Sequence, residues 1–194
     1  MRQMSSSKII AGVVILVLAL TAVVWGINRV ANARNLAYDF TLTDQDGKPF
    51  RLSEERGHAV ALFFGYTHCP DVCPATLEHL AKARAALGND RENVRIVFVT
   101  VDPRHDSPQR MKQYLSKFDP SFIGVTGTEN QLLPVYKAYH VWSQALPKTT
   151  KGLEEVEAHT ATITLIDRGG HLKSYADWAD PTTALTQDFR KAAS

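Results

Sequence analysis

Residues 59–74 read AVALFFGYTHCPDVCP, and the fold follows from how this stretch divides. Its first seven residues, up to Gly65, are continuously apolar. A strand with one wet face alternates polar and apolar, whereas a strand covered on both faces does not. Residues 59–65 are therefore expected to lie inside a helix-covered sheet. Residues 74–87 then place Leu77, Leu80, Ala81 and Leu87 at helical spacing, with Gly88 as a stop. Proline fits only the first turn of a helix, so Pro74 is expected to open it. The two cysteines thus fall between a buried strand and a helix, at the sheet edge where open α/β folds carry their chemistry.

Working outward, residues 94–101 form a second apolar run. Ser107 and Pro108 are a good N-cap and first residue for a helix through Lys117. Residues 122–125 are short and apolar, and a helix is expected from Thr128 to about Tyr139. Residues 162–166 and 171–175 flank a turn at 167–170, and residues 181–191 close the chain as an amphipathic helix. Upstream, residues 40–43 alternate and Asp46-Gly47 supplies a hairpin turn leading to residues 49–52, with one helical turn after it at 53–55. Strands alternating with helices imply a βαβ unit, and the late hairpin implies an antiparallel edge. The expectation is an α/β, thioredoxin-like fold: a central mixed sheet flanked by helices, with an N-terminal hairpin extension.

The first 34 residues differ from the rest. Residues 9–27 are 19 positions without a charge. As a helix they would span about 28 Å, close to the ~30 Å hydrocarbon core of a bilayer. The expected layout is a cytoplasmic segment at 1–8, one transmembrane helix at 9–27, a linker at 28–37 and the thioredoxin-like domain at 38–194. Arg2 and Lys8 precede the apolar run and keep the N-terminus cytoplasmic, although Arg29 and Arg34 follow closely. A cleaved signal peptide ending near Ala31-Asn32-Ala33 is the rival, but the run exceeds the usual 7–15 residues. No Arg- and Ser-rich transit peptide precedes it, so the expected location is a bacterial inner membrane with the domain outside the cytoplasm. The 22 basic and 20 acidic residues include four basic ones and no acid at 1–34, leaving 18 against 20, or −2, beyond. That balance argues against nucleic acid as a partner.

Cys69 and Cys73 are the only cysteines. A bridge between them would close too short a loop to contribute much stability, so chemistry explains them better. Three residues separate them, against two in thioredoxin-type enzymes. The pair is open to three readings: a redox-active dithiol, a metal site or an inert pair. The helix N-terminus beside Cys73 is expected to favour its thiolate. Two sulfurs on one ion at ~2.3 Å sit roughly 3.7 Å apart, which such a loop accommodates without a covalent bond. Thiolates select Cu(I) or zinc, and two are too few for an ordinary iron–sulfur site. His159, just before the strand at 162–166, is the preferred third ligand, and His68 is the competitor. Two thiolates and an imidazole suit copper in both oxidation states. His58, His79, His105, His140 and His171 show no partner and are read as solvated.

Four motifs in order, GYTHCPDVCP at 65–74, TVDPRHDSP at 100–108, GVTGT at 124–128 and His159 ahead of TLID at 164–167, resemble the Sco (SenC/PrrC) family of copper chaperones for cytochrome c oxidase assembly. The resemblance runs from about Tyr38 to the C-terminus. It implies a thioredoxin-like fold, with one copper ion per chain held by Cys69, Cys73 and His159. It implies delivery to the dinuclear site of oxidase subunit II, with reduction of that site's cysteines as a further role. Another copper-carrying protein or a thioredoxin-like reductant would be a further partner. Asp71 matches an acidic residue of the family's loop and is given no more than a supporting role. Two positions depart from the pattern: Ala158 replaces the usual Asp before the ligand histidine, with Glu157 one place earlier, and His105 replaces an Arg. Residues 143–156 diverge. The alternatives are a membrane-tethered thiol–disulfide oxidoreductase, with Cys69 and Cys73 as its redox-active pair, and a thiol-based redox or copper sensor.

Overall fold

Strand β3, Ala59–Gly65, is buried at every position, because it is an interior strand of a sheet covered on both sides. Ala59, Ala61 and Phe63 enter one hydrophobic cluster and Val60, Leu62 and Phe64 the other, the period-2 alternation of a strand. The computed structural model describes residues 6–141 and 162–194, and within the first helix the side chains of 10 and 12–27. The chain divides into two compact units, Met1–Leu36 and Ala37–Ser194.

In the first unit, α1 runs from Ser6 to Arg34. Ile15, Leu18, Val23 and Trp25 along it are exposed. Among the described residues no helix is long and apolar enough to cross a membrane.

In the second unit, strands β1 (Thr41–Asp44), β2 (Pro49–Arg51), β3, β4 (Val94–Thr100), β5 (Ile123–Thr126), β6 (Thr162–Ile166) and β7 (Leu172–Asp177) form one sheet ordered β2-β1-β5-β4-β3-β6-β7. The β3–β4 and β4–β5 pairs are parallel. The β3–β6, β6–β7, β1–β2 and β1–β5 pairs are antiparallel. This is the expected thioredoxin-like mixed sheet, with the N-terminal hairpin added beside β5. The hairpin turn places Gly47 at φ +77, which suits glycine. Gln45 fastens the hairpin to its neighbour: its amide donates to the Phe122 carbonyl at 2.9 Å, and its Oε1 accepts from the Gly124 N–H.

Helices α2 (Val72–Ala85), α3 (Pro108–Leu115) and α5 (Thr182–Ala193) supply Leu77, Met111 and Phe189 to the cluster around Phe63 and Phe98. Helix α4 (Glu129–Ala138) supplies Leu132, Val135 and Tyr136 to the cluster around Leu62 and Val97. Burying each such side chain stabilises the fold by about 1.5–3 kcal/mol. Thr128 and Gln131 close a reciprocal capping box at the start of α4.

Two boundaries differ from expectation. Helix α2 begins at Val72, two residues before Pro74. The first four N–H groups of a helix have no helical partner, so a proline in third place forfeits no bond. Helix α3 ends at Leu115 rather than Lys117, because Ser116 caps it and the chain tightens into turns.

Candidate metal centre

Gly65 and Thr100 are paired in the parallel β3–β4 ladder, so the chain leaves both strands at the same carboxyl edge. The cysteine loop after β3 therefore meets the loop after β4, with the Val101 N–H donating to the Gly65 carbonyl at 2.8 Å. Asp106 is the knot between them and is fully buried. Its carboxylate accepts from the Thr67 hydroxyl at 2.6 Å, the Thr67 N–H at 3.1 Å and the Thr100 hydroxyl at 2.6 Å. The Arg110 Nε–H in turn donates to the Thr67 hydroxyl oxygen at 2.7 Å. A buried carboxylate is tolerable only when its lone pairs are satisfied in this way.

Thus held, the loop turns through a Cys69 N–H to Tyr66 carbonyl bond of 3.3 Å and enters α2 at Asp71. Both sulfurs are free and buried. They occupy one spot: the Cys73 N–H points at the Cys69 Sγ, 3.4 Å away. The two thiols differ sharply. Burial acts to raise the Cys69 thiol, but the Cys73 and Asp71 N–H groups, the Cys73 thiol and the Tyr66 hydroxyl outweigh it and hold the group below its usual range. Burial pushes Cys73 up to about 12, against the help of the Tyr66 N–H, and the neighbouring Cys69 adds to the rise. The expectation that the helix N-terminus would favour the Cys73 thiolate is thus corrected. Those N–H groups serve Cys69, which lies in front of the helix, while Cys73 lies within its first turn against apolar side chains. Asp71 contributes its N–H rather than its carboxylate.

His159 lies outside the described residues, as do Glu157 and Ala158. Among the described residues no histidine, aspartate or glutamate donor joins the two sulfurs to make a group of three within 4.8 Å. His68 has turned to Asp102, with Nε2 at 3.5 Å from Oδ2. Three histidines read as solvated have partners. His105 Nδ1 lies 2.8 Å from Asp102 Oδ2, His171 Nδ1 lies 3.2 Å from Asp167 Oδ1, and His58 Nε2 lies 3.3 Å from the Arg95 guanidinium Nη2. The His79 Nδ1 is buried and has no partner among the described residues. These pairings depend on turns or strand register, which spacing alone does not display. Sequence reasoning also passed over Thr67 and Tyr66 and gave Asp106 no role beyond its place in the motif at 100–108. The signal for Asp106 was a carboxylate beside the β4 end in a segment otherwise read as a cap.

Two soft donors side by side in a water-poor loop, one of them held below the usual thiol range, can chelate a soft cation or cycle between dithiol and disulfide. Comparison with known proteins bears on this choice. Residues 28–194 match the family model SCO1/SenC. The mitochondrial protein SCO2 of Saccharomyces cerevisiae is 36% identical over 145 residues, which are 74% of this chain and 48% of that one. A SCO2-like protein of Rickettsia prowazekii is 34% identical over 131 residues, 68% of this chain and 64% of its own. The chain thus spans about half to just under two thirds of the length of these relatives. The structure of ScoI from Bradyrhizobium japonicum, solved with copper bound, superposes with a TM-score of 0.69 at 36% identity, covering 81% of this chain and 99% of that one. With a family model matched over residues 28–194 and relatives above 30% identity, the chain belongs to the SCO1/SenC family.

Proposed function

We propose that this chain is a membrane-tethered copper chaperone, whose cargo is one copper ion held by Cys69, Cys73 and His159. The observation that carries the reading is the pair of free, buried sulfurs at the carboxyl edge of β3, in a chain 36% identical to a Sco protein solved with copper bound. The donor set fits the cargo. Two thiolates favour Cu(I), and an added imidazole keeps Cu(II) bound as well. The proposed recipient is the dinuclear copper site of cytochrome c oxidase subunit II, in line with the motifs shared with the oxidase-assembly family. Handing over the ion means exchanging thiolate ligands one at a time with the recipient's cysteines. The uncharged run at residues 9–27 is proposed to anchor the chain in a bacterial inner membrane, with the copper-binding domain on the outer side.

The contrast between the thiols favours a second reading, a thiol–disulfide oxidoreductase in which Cys69 attacks and Cys73 resolves. Reduction of the recipient's cysteines would join the two roles. His159 separates them, since dithiol exchange needs no distant imidazole. In the full chain, His159→Ala is expected to abolish stable Cu(II) binding, read from the thiolate charge-transfer absorption during copper titration. Disulfide formation between Cys69 and Cys73 is expected to persist. An unchanged spectrum and stoichiometry in that variant would overturn the assignment of the third ligand.

A further inference from the structure

Beside the dithiol stands a second group of donors. Asp102 Oδ2 lies 2.8 Å from His105 Nδ1 and 3.5 Å from His68 Nε2, and the three donor atoms all lie within 4.8 Å of one another. The two imidazole rings meet edge to face, with centroids 5.6 Å apart. A four-coordinate ion with bonds of about 2.0–2.1 Å holds its donors roughly 3.3–3.4 Å apart, so only small side-chain rotations separate this arrangement from a coordination sphere.

The backbone fixes the centre of the group. The Asp102 N–H donates to the Thr100 hydroxyl oxygen at 2.9 Å, and the Asp102 carbonyl accepts from the Asp106 N–H at 3.0 Å. Both bonds lead back to the Asp106 knot, so the carboxylate is presented from a rigid turn. The nearest basic residue in sequence does not occupy it: Arg104 is engaged by Glu129, with Nη2 at 2.7 Å from Oε1. The side chains are 45%, 21% and 68% exposed for His68, Asp102 and His105, which leaves the remaining coordination positions to water.

We propose that His68, Asp102 and His105 form a second, surface cation site for a borderline divalent ion of the Cu(II) or Zn(II) type. Two imidazoles and one carboxylate suit such ions, and among first-row dications Cu(II) binds such donors most tightly. The site is distinct in kind from the dithiol, whose sulfurs prefer Cu(I), yet His68 is bonded directly to Cys69. The cysteine loop therefore contributes to both, giving His68 to a borderline site completed by the loop after β4 and Cys69 to the soft site in immediate succession. The proposal does not depend on the chaperone reading, because neither sulfur nor His159 takes part.

The test separates the two sites. The full chain carrying Cys69→Ser, Cys73→Ser and His159→Ala lacks the other donor set. Titrated with Cu(II) alone, it is expected to bind one equivalent, with paramagnetic resonance showing two equatorial nitrogens. Adding His105→Ala or Asp102→Asn is expected to weaken binding at least tenfold and to remove one nitrogen in the histidine variant. No binding by the triple variant, or binding that His105→Ala leaves unchanged, overturns the site. Should the triple variant misfold, the native chain decides. Its zinc stoichiometry is expected to fall by one in His105→Ala, with the circular dichroism spectrum unaltered, and an unaltered stoichiometry is equally fatal.

Discussion

At the scale of single residues, the contrast between Cys69 and Cys73 governs reactivity. Thiolate is the reacting form, and a thiol whose pKa is about 12 is ionised in roughly one molecule in ten thousand at pH 8. In the metal-free reduced chain, limited iodoacetamide is expected to label Cys69 well ahead of Cys73, as read by peptide mass spectrometry. Equal labelling would contradict the arrangement of N–H donors around Cys69. Asp106 is the residue on which that arrangement hangs. Asp106→Asn keeps the shape, removes the charge and sets an amide NH2 donor against the Thr67 and Thr100 donors. It is expected to cost roughly 1–3 kcal/mol of stability in denaturant unfolding and to weaken copper retention through a looser Thr67 loop. Of this site the sequence displayed the two sulfurs, since CPDVC is a contiguous pattern. It did not display Asp106 or the His68–Asp102–His105 group, whose members meet only because β3 and β4 end in register at Gly65 and Thr100.

At the scale of elements, one ion pair joins α2 to the turn after α3. Arg84 is almost fully buried, donates from Nε to the Val94 carbonyl at 3.0 Å and from Nη1 to Asp119 at 3.0 Å. Burial raises the Asp119 carboxyl, but the Ser121 N–H and hydroxyl and the Arg84 guanidinium outweigh it, so its pKa lies below the ordinary value. A depressed carboxylate stabilises the fold fully above its unfolded pKa of about 3.9 and loses that contribution as pH falls through the lower folded value. The melting temperature of Asp119→Asn is therefore expected to trail that of the parent chain above about pH 5 and to converge with it at lower pH. A constant gap across the acid range would assign the effect to packing instead. The elements themselves were largely legible. The unbroken apolar runs of β3 and β4 and the caps at Ser107 and Thr128 each carry a local signature. The start of α2 was not legible, because proline is equally at home in any of the first positions of a helix.

At the scale of the whole molecule, the mixed sheet was readable from the alternation of strands and helices. The seat of the N-terminal hairpin beside β5 was not, because Gln45 reaches Phe122 and Gly124 across a separation no local pattern encodes. The proposed anchor makes its own demand. An arginine at the centre of a spanning helix raises the insertion cost by about 2.5–3.5 kcal/mol. The doubly substituted Val17→Arg, Leu18→Arg chain is expected to leave the carbonate-resistant membrane fraction, while the parent chain stays in it. Recovery of both in that fraction would point to attachment by other means.

Gly65 gives the dithiol a direction. A methyl group there would begin 2.9 Å from the Cys73 sulfur and 2.9 Å from the Phe98 ring, closer than atoms pack. The sulfur thus leans on bare main chain, and the floor of the sheet is one of its walls. On that side the strand backbone leaves Cys73 Sγ no room for an incoming thiol or ion. The bareness of a single position lets the sulfur rest flush on the strand, and any side chain put there would shoulder it outward.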